Sequence, residues 1–487
     1  MVRRRLRRVV VGFWLGLLAP SMVGCGGGAA ATGGSKVSRV TRDKRAVDER
    51  GRVVRVAGGQ TVSVDAHNYW LEGKEAFAKY EKGTWNDEQC AEVIELFQKA
   101  SDAQGGFVEA LYMAGLTHER CGRSGPALKF YRKAHNVSPK YCRARVALAI
   151  EAMKRGDDSH ARRELHEAVR ADPQCTEGYV NLAIVQHRAG GEENNREALN
   201  NLRRALAINA SYLPAFNEMA LIYLDEARGN KKMLDLAEVV CSQAQKIDKD
   251  YAPIYNTWGL IDLRRDKIIA AAAKFKRAIE LDPQMFEAYM NFGQLTLGFR
   301  GYADAKDAFI KALEAHPDKF DAHIGLGMAH RGLEENDKAK AEYEKAMKLR
   351  PRRAEPYYNL GVLHQDFMNA QPAELNQAAK YYRSFLAKAG EARRYASQVS
   401  EITRVCKRKK TRRKRKLKSH KCIAGRLQNI RDTLQALREM EKMEREMAKM
   451  QEMQKEQERR EQEQLKREEE RKKKEKGKKK EKGKRKK

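Results

Sequence analysis

Prolines stand at positions 139, 173, 283, 317 and 351, and three of the four intervals between them are 34 residues long. A fixed period of that size leaves few architectures open, because each unit is one supersecondary element that must stack on its neighbours to bury an apolar face. Other residues fall into column on the same period. Gly327, Ala339, Tyr343, Ala346 and Pro351 are matched by Gly293, Ala305, Phe309, Ala312 and Pro317, and by Gly259, Ala271, Phe275, Ala278 and Pro283. Upstream, Gly115, Ala127, Tyr131, Ala134 and Pro139 repeat the order. A small residue lets two helices approach, large residues fill the next interface, and proline stops the second helix because it cannot continue the hydrogen-bond ladder.

This column resembles the tetratricopeptide repeat. The resemblance implies an all-α solenoid of helix-turn-helix units, and nine can be laid down: 66–107, 108–141, 142–175, 176–212, 213–251, 252–285, 286–319, 320–353 and 354–390. The first is the least regular, with Tyr69, Gly73, Phe97 and Ala100 as its anchors. Three units carry extra residues, at Gly190–Asn195, Arg228–Lys232 and Met368–Pro372, which are expected to lengthen the turn between the two helices. The expected layout is a signal peptide at 1–24, a linker at 25–65, the solenoid at 66–390, a basic segment at 391–425, a charged helix or coiled coil at 426–474 and a disordered Lys-rich end at 475–487.

In this family ligand contacts cluster at the second, fifth, ninth, twelfth and thirteenth residues of a unit. At the fifth place the chain has Tyr112, Val146, Val180, Met290, Ile324 and Tyr358; at the ninth, Leu116, Ile150, Ile184, Leu221, Leu260, Met328 and Val362. The resemblance therefore implies an apolar groove suited to an amphipathic helix or apolar segment of a partner protein. Some members clamp a peptide carboxylate with Lys and Asn at these two places; that pairing is missing here. The same residues also suit contacts between neighbouring first helices.

The chain opens with five arginines within Met1–Arg8, followed by the apolar run Val9–Ala19, which is signal-peptide architecture. Met22-Val-Gly-Cys25 then precedes a Gly/Ala-rich stretch and resembles the bacterial lipobox, with Met and Val where Leu and a small residue are usual. The resemblance implies cleavage before Cys25, its acylation, and a lipid-anchored protein of the cell envelope, on the outer membrane facing the periplasm. The charge distribution agrees: of the net +32, residues 1–60 carry +10 and residues 391–487 carry +21, leaving a nearly neutral middle. A nucleic-acid groove along the folded part would need its positive charge there, so a nucleic-acid partner is disfavoured.

Eight cysteines suit export better than a reducing cytosol. With Cys25 lipidated and Cys241 in an aromatic slot of a second helix, six remain. Cys90 at the start of one helix and Cys121 at the end of the next are expected to meet, Cys142 and Cys175 begin successive first helices, and Cys406 and Cys422 flank a basic run; free thiols throughout are the alternative. His118, His323, His330 and His364 occupy places usually filled by aromatic groups and read as core residues, so no metal and no cofactor are expected. None of the common hydrolase, zincin or nucleotide-binding motifs occurs, which points away from an enzyme.

Lys407, Arg408, Lys409, Lys410, Arg412 and Arg413 lead an almost purely cationic run to Lys418. Such a run cannot fold against its own repulsion, and in an envelope its counterparts are anionic lipids or polymers. Leu427, Ile430, Leu434 and Leu437, continued by Met440, Met443, Met447 and Met450, read as an irregular coiled-coil seam. Together these features resemble bacterial envelope lipoproteins that act as assembly scaffolds, among them the repeat lipoprotein of the myxobacterial gliding-motility apparatus and, more distantly, pilotins. The function expected is a membrane-anchored adaptor; a pilotin-like chaperone and a cytosolic nucleic-acid-associated protein are the alternatives.

Overall fold

The computed structural model describes residue 53 and residues 61–80, 85–369, 371–390, 392–403 and 425–484. These are almost wholly helical; apart from isolated bridge positions at Val53, Thr61 and Ser63, no strand occurs among them. Two compact units divide the chain, Met1–Pro317 and Asp318–Lys487.

The first unit is a run of helix pairs. Its first helices are α1 (Val64–Tyr80), α3 (Val108–Arg120), α5 (Cys142–Lys154), α7 (Thr176–Ala189), α9 (Leu213–Glu226), α11 (Ala252–Arg264) and α13 (Phe286–Gly298). The second helices are α2 (Asp87–Ala103), α4 (Ser124–Val137), α6 (Asp158–Ala171), α8 (Glu192–Ile208), α10 (Met233–Ile247), α12 (Ile268–Leu281) and α14 (Tyr302–Ala315). In the second unit, α15 (Phe320–Gly332) pairs with α16 (Asn336–Leu349) and α17 (Glu355–Asp366) with α18 (Pro372–Ala389). A 3-10 turn at Arg393–Tyr395, α19 (Ala396–Thr403) and the long α20 (Arg426–Lys484) follow.

Each pair closes on the small-against-large contact that the column of residues implies. A Cβ added at Gly259 would lie 2.6 Å from the Phe275 ring, and one at Gly327 would lie 2.5 Å from Tyr343, so only glycine fits. Where the small residue is Ala149, Ala183 or Ala220, the facing slot holds the smaller Leu165, Leu202 or Cys241, and all six are fully buried. Four second helices, α6, α8, α10 and α12, end on an Asp or Asn before the turn. Asp172 accepts a hydrogen bond from the Gln174 N–H at 2.9 Å and Asp282 from the Gln284 N–H at 3.0 Å, which satisfies donors that the helix no longer pairs.

Two expectations change. The extra residues after Gly190 lengthen the second helix, not the turn: α8 begins at Glu192 and runs 17 residues where α6 runs 14. Gly190 and Gly191 alone make that turn, at φ 71° and 89°, a conformation that suits glycine. At the other end, α20 continues to Lys484, so residues 475–484, read from their composition as disordered, are helical.

Candidate protein-binding surface

In the first unit, successive first helices from α5 to α13 touch one another directly, while second helices lie chiefly against their own partner and the next first helix. The first helices therefore form one continuous side of the stack. Hydrogen bonds between buried or partly buried polar groups hold them in register. His187 Nδ1 on α7 is 2.7 Å from Glu218 on α9, the Thr257 hydroxyl on α11 donates to Asn217 on α9 at 2.6 Å, and Asn291 on α13 donates to Asn256 on α11 at 2.8 Å. Burial opposes a charged His187 ring, but the hydrogen bond and charge of Glu218, helped by Asp225 and Glu226, outweigh it and raise the pKa above 6.5. Sequence reasoning missed this ladder. Its signal was Asn217 and Asn256 at the fifth place, where most other units carry apolar side chains, beside a sixth place that is polar in Asn181, Glu218, Thr257, Asn291 and Asn359.

The expected groove is largely core. Val146, Val180, Met290 and Ile324 are 0–1% exposed, and Tyr112, Ile184, Leu260 and Val362 are also buried. The fifth residue of the unit faces the neighbouring helices, because the first helices lie close enough to cover it. Only Leu116, Ile150, Leu221, Met328 and Tyr358 of the expected set are partly exposed. In the first unit Leu116, Ile150 and Leu221 make a sparse row at the ninth place. One turn further along the same side stand Arg120, Lys154, Arg188 and Arg264, at the thirteenth place. Lys154 meets Glu119, and Arg188 meets Asp158 at 3.2 Å.

Among the described residues the cysteines form two bridges, Cys90–Cys121 and Cys142–Cys175, each with Cα atoms 6.1 Å apart. Cys142, Cys175 and Glu177 bring three metal-type ligand atoms within 4.8 Å of one another, but the bridge leaves no thiolate, and Glu177 accepts from Arg143 at 3.0 Å. Cys241 is free and buried, and burial pushes its thiol up. The core histidines do more than fill aromatic slots. His323 pairs with Glu342 at 2.6 Å, His330 with Glu335 at 2.5 Å, and His364 with Glu374, while His118 stacks on Phe130. Cys25, Cys406, Cys422 and the run of Lys407, Arg408, Lys409, Lys410, Arg412 and Arg413 lie outside the described residues.

In the second unit the chain covers its own last pair. Ile402 on α19 and Ile430 on α20 are 1% and 2% exposed in a cluster with Val362, Tyr382 and Phe385, and Leu427, Leu434 and Leu437 pack partly buried against it. Arg426 donates to Asp366 at 2.7 Å, to Gln365 at 2.9 Å and to Glu401 at 2.7 Å. Tyr358, expected in the groove, donates to Glu401 at 2.8 Å. The leucines read as a coiled-coil seam thus serve an intramolecular contact. Met440, Met443, Met447 and Met450 do not share it and are 51–55% exposed.

The order of helix pairs is that of a tetratricopeptide-repeat solenoid, and part of the chain matches models of the repeat itself. Models of that repeat match residues 108–141 and 291–352. Among solved structures, a thermophilic repeat protein of Thermus thermophilus is 23% identical, covering 39% of this chain and 98% of that one, with a TM-score of 0.36. The Cut9 and Hcn1 hetero-tetramer of the APC/C is 13% identical over 61% of this chain and 55% of that one, at 0.47. YrrB, a repeat protein with an unusual peptide-binding site, is 20% identical over 39% and 95%, at 0.29. The human protein O-mannosyl-transferase TMTC1 is 25% identical over 175 residues, 36% of this chain; the match spans only 19% of that relative's length.

Proposed function

We propose that the protein is a non-enzymatic, lipid-anchored adaptor that holds protein partners in the assembly of a bacterial envelope machine, of the kind that drives gliding motility. Repeats of this type mediate protein–protein interactions, and the observation that carries the reading is the continuous side of first helices in the first unit. Its partly exposed strip is a thin apolar row, Leu116, Ile150 and Leu221, beside a mainly basic row, Arg120, Lys154, Arg188 and Arg264, which Asp225 interrupts. That surface suits an amphipathic partner helix whose apolar face is edged by carboxylates. Two bridges between helices support an oxidising compartment, in keeping with a lipobox-like Cys25.

Two measurements test the reading. Expressed in a Gram-negative host, the wild-type chain is expected to begin at Cys25 with added acyl mass and to sediment with membranes, and Cys25→Ala is expected to lose both. An unprocessed soluble chain would favour the cytosolic, nucleic-acid-associated alternative. For the face, Leu116→Asp with Ile150→Asp removes partner capture without unfolding the pairs, since both side chains are already partly in water. Val146→Asp and Ile324→Asp are unsuitable, because each would bury an unpaired charge. Capture that survives the Leu116 and Ile150 substitutions overturns the assignment of this face.

A further inference from the structure

The exposed half of α20 carries five methionines in fourteen residues, Met440, Met443, Met447, Met450 and Met453, each 51–64% exposed. At roughly 100° per residue, the first four are turned by about 140° around the helix from the docked Leu427, Ile430, Leu434 and Leu437. They are therefore a second face, not an extension of the first. A coiled-coil seam is a poor account of it, because one needs about three to four heptads of apolar positions. In the heptad frame of the methionines, the preceding places are Thr433 and Ala436 and the following ones Gln454 and Gln457, so only two heptads are apolar.

Residue choice within one helix is the second clue. Where α20 makes an apolar contact the chain uses Leu and Ile, and where the side chains stand in water it uses Met five times over. Met is no better than Leu at forming a helix, so neither helix propensity nor burial explains the change. What Met alone brings is a soft thioether sulfur on a flexible stem. On a helix, side chains three and four apart have Cβ atoms about 5–6 Å from one another, within reach of a common atom for three sulfurs on three-bond stems. Met443 and Met447, and Met447 and Met450, have that spacing, so a common atom lies over Met447, with Met443 and Met450 about 10 Å apart on either side of it and Met440 and Met453 beyond. The local charge does not repel a cation. Residues 438–453 hold five acidic and four basic side chains, net −1, within a C-terminal region, 391–487, of +21.

We propose that Met443, Met447 and Met450 form a binding site for a soft monovalent d10 cation, Cu(I) or Ag(I), which thioether ligands select over harder ions. Thioethers carry no proton in the relevant range, so binding is independent of pH, unlike sites built on thiolate or imidazole.

The test uses the full-length chain, with accessible thiols blocked by N-ethylmaleimide and the bridges intact. Silver nitrate is titrated in chloride-free buffer at pH 7 and pH 5; silver(I) serves as the probe because it needs no reductant. Wild type is expected to bind silver equally at both pH values. Met443→Leu with Met447→Leu and Met450→Leu is expected to lose the tightest-bound equivalent while keeping its far-ultraviolet helix signal, since Leu preserves volume and helix propensity. Met447→Leu alone is expected to weaken binding. Silver binding unchanged in the triple variant, or lost in wild type between pH 7 and pH 5 as imidazole ligands would require, overturns the proposal. So does absence of silver binding with a fall in sedimentation mass in the triple variant, which would make the methionine face a self-association surface.

Discussion

The contact between Gly259 and Phe275 shows how a repeat is specified by a pair of side chains. The added methyl of Gly259→Ala would sit 2.6 Å from the ring, so the helices must part or the ring must leave its place. Overpacking of this kind costs about 1–3 kcal/mol. The chain already contains the remedy, Ala facing Leu at Ala149 and Leu165. Gly259→Ala with Phe275→Leu is therefore expected to be more stable than the sum of the single changes by about 0.5–3 kcal/mol in a double-mutant cycle. Denaturant unfolding of the four proteins measures it, and simple additivity would remove the size-matching account. His187 makes a second residue-level case. Its pKa is raised in the fold above the reference 6.5, so the stability it contributes is complete below that value and is lost as pH rises through the folded pKa. His187→Gln is expected to flatten this loss of stability toward high pH, as read by melting temperature against pH. His118 has the opposite sign. Burial, assisted by Arg123, lowers its pKa, so its contribution is present above 6.5 and is lost as pH falls.

Between helices, Cys90–Cys121 ties a second helix to the next first helix, and Cys142–Cys175 ties the starts of two successive first helices. Cys90–Cys121 closes a separation of 31 residues and Cys142–Cys175 one of 33. Chain-entropy arguments give each about 3–4 kcal/mol. Reduction is expected to unfold α2 to α7 before the rest of the first unit, seen as faster amide exchange in residues 87–189 under reducing conditions. Uniform exchange across the unit would contradict it. The pairing of Cys90 with Cys121 was legible once the repeats were in register, because it follows from where a second helix starts and the next first helix stops. The fifth-place residues were not, since Val146 and Ile324 have the same apolar character whether they line a groove or fill an interface. Only the separation of adjacent first helices decides, and sequence period does not report it. The polar ladder was hidden for a related reason: Asn256 and Asn291 look like surface residues until the helices that carry them are seen to touch.

At the scale of the whole chain, the folded part ends later than composition suggests. The shift to basic residues after 390 marks a boundary in charge, but Ile402 and Ile430 lie beyond it and are almost fully buried against Tyr382, Phe385 and Val362. Arg426, bonded to Asp366, Gln365 and Glu401, fixes the direction in which α20 leaves. Beyond Leu437 the helix has 47 residues left, about 70 Å at 1.5 Å per residue. No described helix, this one included, is long and apolar enough to cross a membrane. Two truncations separate the docked part from the arm. A chain ending after Leu437 keeps every contact of the last pair and is expected to melt as the full-length protein does. A chain ending after Gly390 strips the cover from α17 and α18, and burial of two isoleucines alone is worth about 3–6 kcal/mol. Its second unit is expected to melt first, with amide exchange rising in 355–389. Equal melting of the two truncated chains would mean that α19 and the start of α20 only rest on the last pair, and that the boundary at 390 is one of structure as well as of charge.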